Sequence, residues 1–245
     1  MIFILLALTF NSSVQTTLPL LTEQKGEPSL YGEIFSPDKQ GIYPGIIIMH
    51  GAGGLTTLYD EYRKFSMKIA EKGYAVLLID LYAETGKTKA SSEKRFEHWK
   101  TWQKILINGV KHLAECPYVD GGSLGVIGFS RGAWITLTTI SQLPQIKAFV
   151  NYYGVGKQSL ENITLMPPTL MLYGSNDVYT DVAFIDSTYQ RLKKKNQNVE
   201  VIVYAKADHG FNLYRDKQEN EAAAADAFEK VCLFLEKYLK TPDVP

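Results

Sequence analysis

Three residues of this chain supply a nucleophile, an acid and a base, in the order Ser130, Asp177 and His209. Ser130 is the centre of Gly-Phe-Ser-Arg-Gly, which matches the Gly-x-Ser-x-Gly pattern of a nucleophile elbow. In such a turn the serine stands between a strand and a helix, and the small flanking residues let neighbouring backbone approach. The apolar run Leu-Gly-Val-Ile before the pattern and a plausible helix after it supply this context. The sequence therefore predicts Ser130 as a nucleophile.

A serine hydroxyl needs a base to become a nucleophile, and the chain has four histidines. His209 follows the last predicted strand, and parallel sheets place their sites in the loops at the carboxyl ends of strands. His98 and His112 fall on a long predicted helix, where a partly exposed histidine needs no catalytic explanation. We therefore predict His209 as the base. Activity is then expected to fall as the pH drops through about 6–7, where histidine ordinarily gains a proton.

A carboxylate is needed to hold the histidine tautomer and to stabilise the charged ring. Asp177, just past a predicted strand, is the preferred candidate, and Asp181 and Asp208 are its rivals. Asp181 suits the cap of the following helix, and Asp208 directly precedes His209, so its side chain would have to turn back to the ring. The order serine, aspartate, histidine is the one that α/β-hydrolases use, rather than either protease order.

Acyl transfer also needs hydrogen-bond donors for the negative oxygen that develops on the substrate. One predicted donor is the backbone N–H of Arg131, the residue after the nucleophile. The second is the backbone N–H of Ala52, in the run His-Gly-Ala-Gly-Gly that follows a predicted strand. Glycines in this run let the backbone approach a substrate closely. His50, at the strand end, is interpreted as structural.

Aromatic side chains near these motifs are candidates for the walls of a substrate pocket. Tyr153 follows a strand close to the nucleophile, Trp134 lies at the start of the helix after it, and Tyr82 lies near a segment that could form a lid. For each of the three, packing in the core is the alternative. None of them identifies a substrate.

The elements that must position these residues alternate between strand and helix. The predicted strands cover residues 30–35, 45–49, 74–79, 124–128, 148–152, 169–173 and 200–204, and the predicted helices cover 61–72, 93–115, 131–141, 181–195 and 222–239. Residues 81–92 lack periodicity and are interpreted as a loop. Such alternation predicts an α/β fold: a single doubly wound, mostly parallel sheet with helices on both faces, spanning residues 25–241.

The first ten residues form a short apolar run, followed by polar residues. The run is too short to span a bilayer but fits the core of a signal peptide. We therefore interpret residues 1–20 as a signal peptide or an apolar leader. Export to the periplasm or the medium is expected in the first case, and a cytoplasmic protein otherwise.

Charge and cysteine content exclude several classes of function. Lys plus Arg and Asp plus Glu both number 26, so no net field would recruit nucleic acid or an acidic membrane. Two cysteines make neither a disulfide framework nor a zinc site, and free thiols are the favoured interpretation. No His, Cys or carboxylate cluster has the spacing of metal ligands, and the glycines lack a dinucleotide-binding pattern. We expect no metal or cofactor, no stable membrane span, and a monomer or homodimer that acts on a small ester-type molecule.

With these residues in place, the chain resembles the dienelactone hydrolase family of α/β-hydrolases from about residue 31 to residue 239. The resemblance lies in His-Gly-Ala-Gly-Gly at 50–54, Ile-Asp-Leu-Tyr at 79–82, Val-Ile-Gly-Phe-Ser at 126–130, Leu-Tyr-Gly-Ser-Asn-Asp at 172–177, Tyr-Ala-Lys-Ala-Asp-His-Gly-Phe at 204–211 and the alanines at 222–225. The family's namesake enzymes use a cysteine nucleophile and place a glutamate near position 51, where this chain has Ser130 and Gly51. The resemblance therefore implies a serine variant and a Ser-His-Asp mechanism, without implying the dienelactone substrate.

The sequence thus favours a serine hydrolase that cleaves a carboxylic ester, lactone or thioester through an acyl-enzyme. Three alternatives stay open. A hydrolase of small peptides or amides shares the same order of catalytic residues, and so does an acyltransferase. A catalytically silent binding protein on the same scaffold would not need all three groups.

Overall fold

The computed structural model describes residues 18–23, 25–37, 40–56, 58–86, 96–154, 160 and 162–240. The strands are β1 Leu20–Thr22, β2 Leu30–Phe35, β3 Tyr43–Met49, β4 Ala75–Ile79, β5 Val119–Phe129, β6 Ile146–Tyr152, β7 Thr169–Gly174 and β8 Val199–Tyr204. The helices are α1 Tyr59–Ala70, α2 Trp99–Ala114, α3 Arg131–Thr139, α4 Val182–Lys193 and α5 Gln218–Leu239. Two single 3₁₀ turns cover Ala83–Thr85 and Ile140–Gln142.

The eight strands form one sheet in the order β1-β2-β4-β3-β5-β6-β7-β8. The strands from β4 to β8 in this order pair in parallel, and β1 and β2 add antiparallel pairs at one edge. Helices α1 and α5 meet through the rings of Phe65 and Phe228, whereas α2 packs on α3. The predicted α/β-hydrolase architecture, a mostly parallel sheet with helices on both faces, is confirmed.

The central strands are apolar throughout because helices cover both faces of the sheet. Every residue of β4 and the four residues 46–49 of β3 are fully buried. Burial of each large aliphatic side chain contributes about 1.5–3 kcal/mol of transfer free energy. These two strands therefore form a rigid base for the loops that leave their carboxyl ends.

The structure departs from the predicted elements at the amino-terminal edge of the sheet. Strand β1 was not predicted, because three residues are too short to show a two-residue alternation. Leu18, before this strand, is buried against the core. Most of the predicted leader, residues 1–17, lies outside the described residues, as do residues 87–95 of the predicted loop and long helix.

Two further features of the described residues bear on function. No helix among them is long and apolar enough to cross a membrane. Cys116 and Cys232 are both free thiols, in agreement with the prediction from their number.

Candidate active site

Ser130 occupies a strained turn between β5 and α3. Its backbone lies in a left-handed conformation, with φ of 49° and ψ of −110°, and its N–H donates to the carbonyl of Tyr152 at 2.8 Å. A Cβ at Gly128 would collide with the backbone of Ala133, and a Cβ at Gly132 would collide with the carbonyl of Met49. The two glycines of the pattern are therefore required because backbone passes directly against them. This packing holds the strained serine in place at the end of the sheet.

Ser130, His209 and Asp177 form one hydrogen-bonded chain. The Nε2 atom of His209 lies 2.9 Å from Oγ of Ser130, and its Nδ1 atom lies 2.7 Å from Oδ2 of Asp177. The other oxygen of Asp177 accepts from the backbone N–H groups of Tyr179 and Thr180 at 2.8 and 3.1 Å. Since a carboxylate only accepts, Nδ1 carries the proton and Nε2 is left to accept from the serine hydroxyl. The geometry is that of a base poised on a nucleophile.

The two rival carboxylates are engaged elsewhere. Asp181 caps α4, where its Oδ1 accepts from the N–H of Phe184 at 2.7 Å. Asp208 points to the surface and pairs with the ammonium of Lys217 at 2.5 Å. Only Asp177 of the three contacts the ring of His209, and its side chain is fully buried.

Ala52 and Arg131, the predicted oxyanion donors, both line the same cleft as Ser130. The neighbouring N–H of Gly51 is already engaged, because it donates to the hydroxyl oxygen of Tyr62 at 2.9 Å. That bond turns Gly51 away from a substrate and favours Ala52 as the donor from this loop. The roles of Ala52 and Arg131 stay predictions.

Two buried side chains fix the loop that carries Ala52. His50 donates from Nδ1 to the carbonyl of Gly51 at 2.8 Å, and its Nε2 accepts from the N–H of Leu81 at 3.0 Å. Both ring nitrogens are thereby satisfied by backbone, which agrees with a structural role. The hydroxyl of Tyr82 donates to the carbonyl of Ala52 at 3.3 Å. Burial raises the pKa of Tyr82 to about 12, so this hydroxyl keeps its proton at neutral pH.

The cleft beside Ser130 has a volume of about 680 Å³. Trp134 and Tyr153 line this cleft, whereas Tyr82 does not: it is buried behind the loop, where its hydroxyl donates to the carbonyl of Ala52. A role of Trp134 and Tyr153 in binding a substrate stays a prediction. The sequence shows that Tyr82 follows the end of strand β4, but it does not show that the ring turns toward the core. The remaining lining residues are Gly51, Ala52, Gly53, Leu58, Tyr62, Ser130, Arg131, Tyr179, Thr180, His209, Gly210, Leu213 and Tyr214.

Tyr153 packs against His209, the candidate catalytic histidine. Its ring centroid lies 4.6 Å from that of His209, and its hydroxyl donates to Oδ1 of Asn212 at 2.5 Å. Its backbone is left-handed, with φ of 43°, which is unusual for a residue other than glycine. The Asn151 side chain braces this turn by donating to the carbonyl of Gly154 and accepting from its N–H, both at 2.8 Å. Two strained residues thus lie side by side at the site.

The sequence alone did not identify Tyr62, Tyr179 and Tyr214 as residues of the cleft. Tyr62 lies on helix α1, eleven residues after Gly51, and no local pattern connects it to that glycine. Tyr179 lies two residues after Asp177, and Tyr214 lies five residues after His209. Tyr179 and Tyr214 lie in loops that follow strands β7 and β8, and this position could have indicated both as residues of the cleft.

Comparison with known proteins identifies the family to which this fold and site belong. The model of the dienelactone hydrolase family matches residues 30–239. The chain belongs to the dienelactone hydrolase family. Membership makes it an α/β-hydrolase that acts on ester bonds.

Individual relatives of this family are distant in sequence but match over nearly the whole chain. A protein of Synechocystis sp. with the provisional name carboxymethylenebutenolidase is 27% identical, over 93% of this chain and 98% of its own. A Yersinia pestis protein with the same provisional name is 29% identical, over 85% of this chain and 82% of its own. The crystal structure of a provisionally named dienelactone hydrolase from Klebsiella pneumoniae superposes with a TM-score of 0.75 at 24% identity, covering 91% and 97% of the two chains. This last likeness shows the shared fold.

This member of the dienelactone hydrolase family has an open position where a larger side chain could reach the nucleophile. A Cβ built at Gly51 would lie 3.5 Å from Cβ of Ser130 and 3.5 Å from the hydroxyl of Tyr62. These are ordinary contact distances, so the glycine is not forced by crowding. The space leaves room for a substrate group beside the serine.

Among the described residues, no group of three or more His, Cys, Asp or Glu side chains is arranged to hold a metal ion.

Tyr62→Phe is expected to lower kcat by about tenfold with little change in KM. The variant removes the acceptor of the Gly51 N–H. A buried N–H that is left without an acceptor costs about 1–3 kcal/mol of free energy. The loop that carries Ala52, the predicted oxyanion donor, would then lose its fixed orientation. Steady-state kinetics on a simple ester measures the effect. Tyr238→Phe, on α5 and outside the cleft, is the matched control, and an equal loss in both variants would contradict this role of Tyr62.

Proposed function

We propose that this chain is a serine hydrolase that cleaves carboxylic esters, lactones or thioesters through an acyl-enzyme. The observation that carries the proposal is the hydrogen-bonded chain from Ser130 through His209 to Asp177 on a strained elbow. A structural role would not require a serine in this backbone conformation, with its hydroxyl directed at a histidine. Family membership supports the ester or lactone bond as the target.

In the first half of the reaction His209 removes the hydroxyl proton of Ser130 through Nε2. The serine oxygen forms a bond to the acyl carbon, and the electron pair of the carbonyl moves to its oxygen. The backbone N–H groups of Ala52 and Arg131 stabilise that negative oxygen, and each such donor contributes about 3–4 kcal/mol. The buried carboxylate of Asp177 stabilises the imidazolium. When the tetrahedral species collapses, Nε2 of His209 gives its proton to the leaving oxygen or sulfur.

The second half repeats these steps with water. His209 takes a proton from a water molecule, and the water oxygen attacks the acyl carbon of the ester on Ser130. The electron pair returns from the oxyanion, the bond to the serine oxygen breaks, and His209 returns the proton to that oxygen. The acid leaves and the enzyme is restored. A lactone follows the same course, except that the alcohol remains attached to the acyl group until water releases both.

A fluorophosphonate probe tests the proposal without knowledge of the natural substrate. The purified protein is incubated with the probe, and the adduct is mapped by mass spectrometry, with Ser130→Ala and heat-denatured protein as controls. We expect a single adduct on Ser130 in the native wild type only. Turnover of ester and thioester panels should then follow, and release of p-nitroaniline from peptides would instead favour the peptidase alternative. A folded protein without an adduct would favour a binding protein on this scaffold.

A further inference from the structure

Two exposed tyrosines flank His209 at the mouth of the cleft. Tyr179 is 79% exposed, yet its ring centroid lies 4.9 Å from that of His209 in an edge-on arrangement. Tyr214 is 51% exposed and lies against Gly210, the residue after His209. Exposed aromatic surface that adjoins a cleft is one place where a ligand can bind.

Hydrogen bonds fix the main chain at both tyrosines, although their side chains face solvent. The N–H of Tyr179 donates to Asp177, and the N–H of Tyr214 donates to the carbonyl of Gly210 at 2.9 Å. Gly210 has φ of 78°, and a Cβ there would lie 2.8 Å from the Tyr214 ring, so the glycine lets the ring approach the histidine loop. The main chain that carries both rings is therefore ordered before any substrate arrives, which lowers the entropy cost of binding against them.

The chemistry of the reaction decides which part of a substrate meets these rings. The acyl oxygen must lie toward the backbone N–H groups of Ala52 and Arg131, whereas the leaving oxygen must lie within reach of Nε2 of His209. The ring of Tyr179 packs against the ring of His209, and the ring of Tyr214 lies against the adjacent Gly210. A leaving group that departs past His209 therefore meets these two rings.

The surroundings favour a neutral, apolar leaving group. Val178, next to Tyr179, is 82% exposed and extends the apolar surface at the rim. Among the described residues that line the cleft, His209 and Arg131 are the only ones with a basic side chain, and none has a carboxylate that would attract a cation. The two tyrosine rings offer flat apolar faces and edges. An aromatic ring placed against them gains edge or offset contacts that an alkyl group of similar size does not.

We propose that Tyr179 and Tyr214 form a leaving-group subsite that selects esters of phenols and other aromatic alcohols. The inference rests on the proposed function, since it assigns a direction to the leaving group at the same serine. It goes further by naming the alcohol half of the substrate and the residues that recognise it. The aromatic rings, and not the tyrosine hydroxyls, provide the selectivity.

The test compares two activated acetate esters that differ in the leaving group, phenyl acetate and 2,2,2-trifluoroethyl acetate. For the double variant Tyr179→Ala with Tyr214→Ala, kcat/KM on the phenyl ester is expected to fall by about tenfold. The trifluoroethyl ester should change by less than about twofold. The double variant Tyr179→Phe with Tyr214→Phe should keep the wild-type ratio of kcat/KM on the phenyl ester to kcat/KM on the trifluoroethyl ester. Leu233 on α5 lies outside the cleft and is 62% exposed, between the values of the two tyrosines, so Leu233→Ala should keep both rates.

The outcomes separate this inference from the function on which it rests. If both esters are hydrolysed and the alanine variants slow them equally, or leave the phenyl ester unaffected, the subsite is overturned while the hydrolase stands. If the double phenylalanine variant loses the preference for the phenyl ester as fully as the double alanine variant does, recognition by the rings is overturned. If neither ester is turned over and Ser130 takes no fluorophosphonate adduct, the proposed function is overturned and the subsite with it.

Discussion

Ser130→Ala is expected to lower kcat on any ester substrate by about a millionfold, to the level left by binding and the oxyanion donors. Without the hydroxyl no acyl-enzyme forms, and His209 at 2.9 Å has no nucleophile to activate. KM should change little, because the removed atom makes its decisive bond only during the reaction. Steady-state kinetics with active-site titration measures both parameters. The fold should persist, since the glycines and Tyr152 that hold the turn remain.

The matched control for this variant is Ser123→Ala, on the same strand β5 and seven residues before the elbow serine. It should retain wild-type activity and show no change in fluorophosphonate labelling. Residual activity in Ser130→Ala within about tenfold of the wild type would mean that another group attacks the substrate. That result would reject the acyl-enzyme on Ser130.

Asp177→Asn is expected to lower kcat by about ten-thousandfold with the structure nearly unchanged. The amide oxygen can still accept from the N–H groups of Tyr179 and Thr180, but its NH₂ then faces Nδ1 of His209. Nδ1 must become an acceptor, so the proton moves to Nε2 and the ring can no longer take a proton from Ser130. The loss follows from the wrong tautomer, and kcat/KM over a range of pH measures it.

Asp208→Asn is the control that addresses the rival acid directly. Its carboxylate pairs with Lys217 at the surface and does not contact the ring of His209, so activity should stay within about threefold of the wild type. A larger loss in Asp208→Asn than in Asp177→Asn would reverse the assignment of the acid. Thermal unfolding of both variants shows whether either loss reflects destabilisation.

Much of the fold could be predicted because its signals are local. The buried strands β3 and β4 appear in the sequence as unbroken apolar runs, and Gly73 marks the turn between α1 and β4. Strand β1 could not be predicted, since its three residues depend on pairing with β2 for their conformation. The antiparallel direction of β2 was also unspecified, because the direction of an edge strand follows from tertiary pairing.

The part of the candidate site that could be predicted consists of residues whose types are fixed by the chemistry and that lie within short sequence patterns. The structure brings Ser130, His209 and Asp177 within hydrogen-bonding distance, and their catalytic roles stay predictions until measured. The contact of Tyr62 with Gly51 could not be foreseen, because it joins a helix to a loop through one hydroxyl group. The inward turn of Tyr82 is likewise a matter of packing, since no sequence pattern specifies the direction of a ring.

The chain of hydrogen bonds from Ser130 to Asp177 joins residues that follow three different strands, and the serine lies 79 positions before the histidine. No fragment of the sheet contains all three groups, so an unfolded molecule has only an ordinary, unreactive serine at position 130. The rate of labelling by a fluorophosphonate should therefore scale with the fraction of molecules in the native state. The site in this way provides a built-in reporter of global stability, which can be followed in crude mixtures and during denaturant titration without a spectroscopic probe.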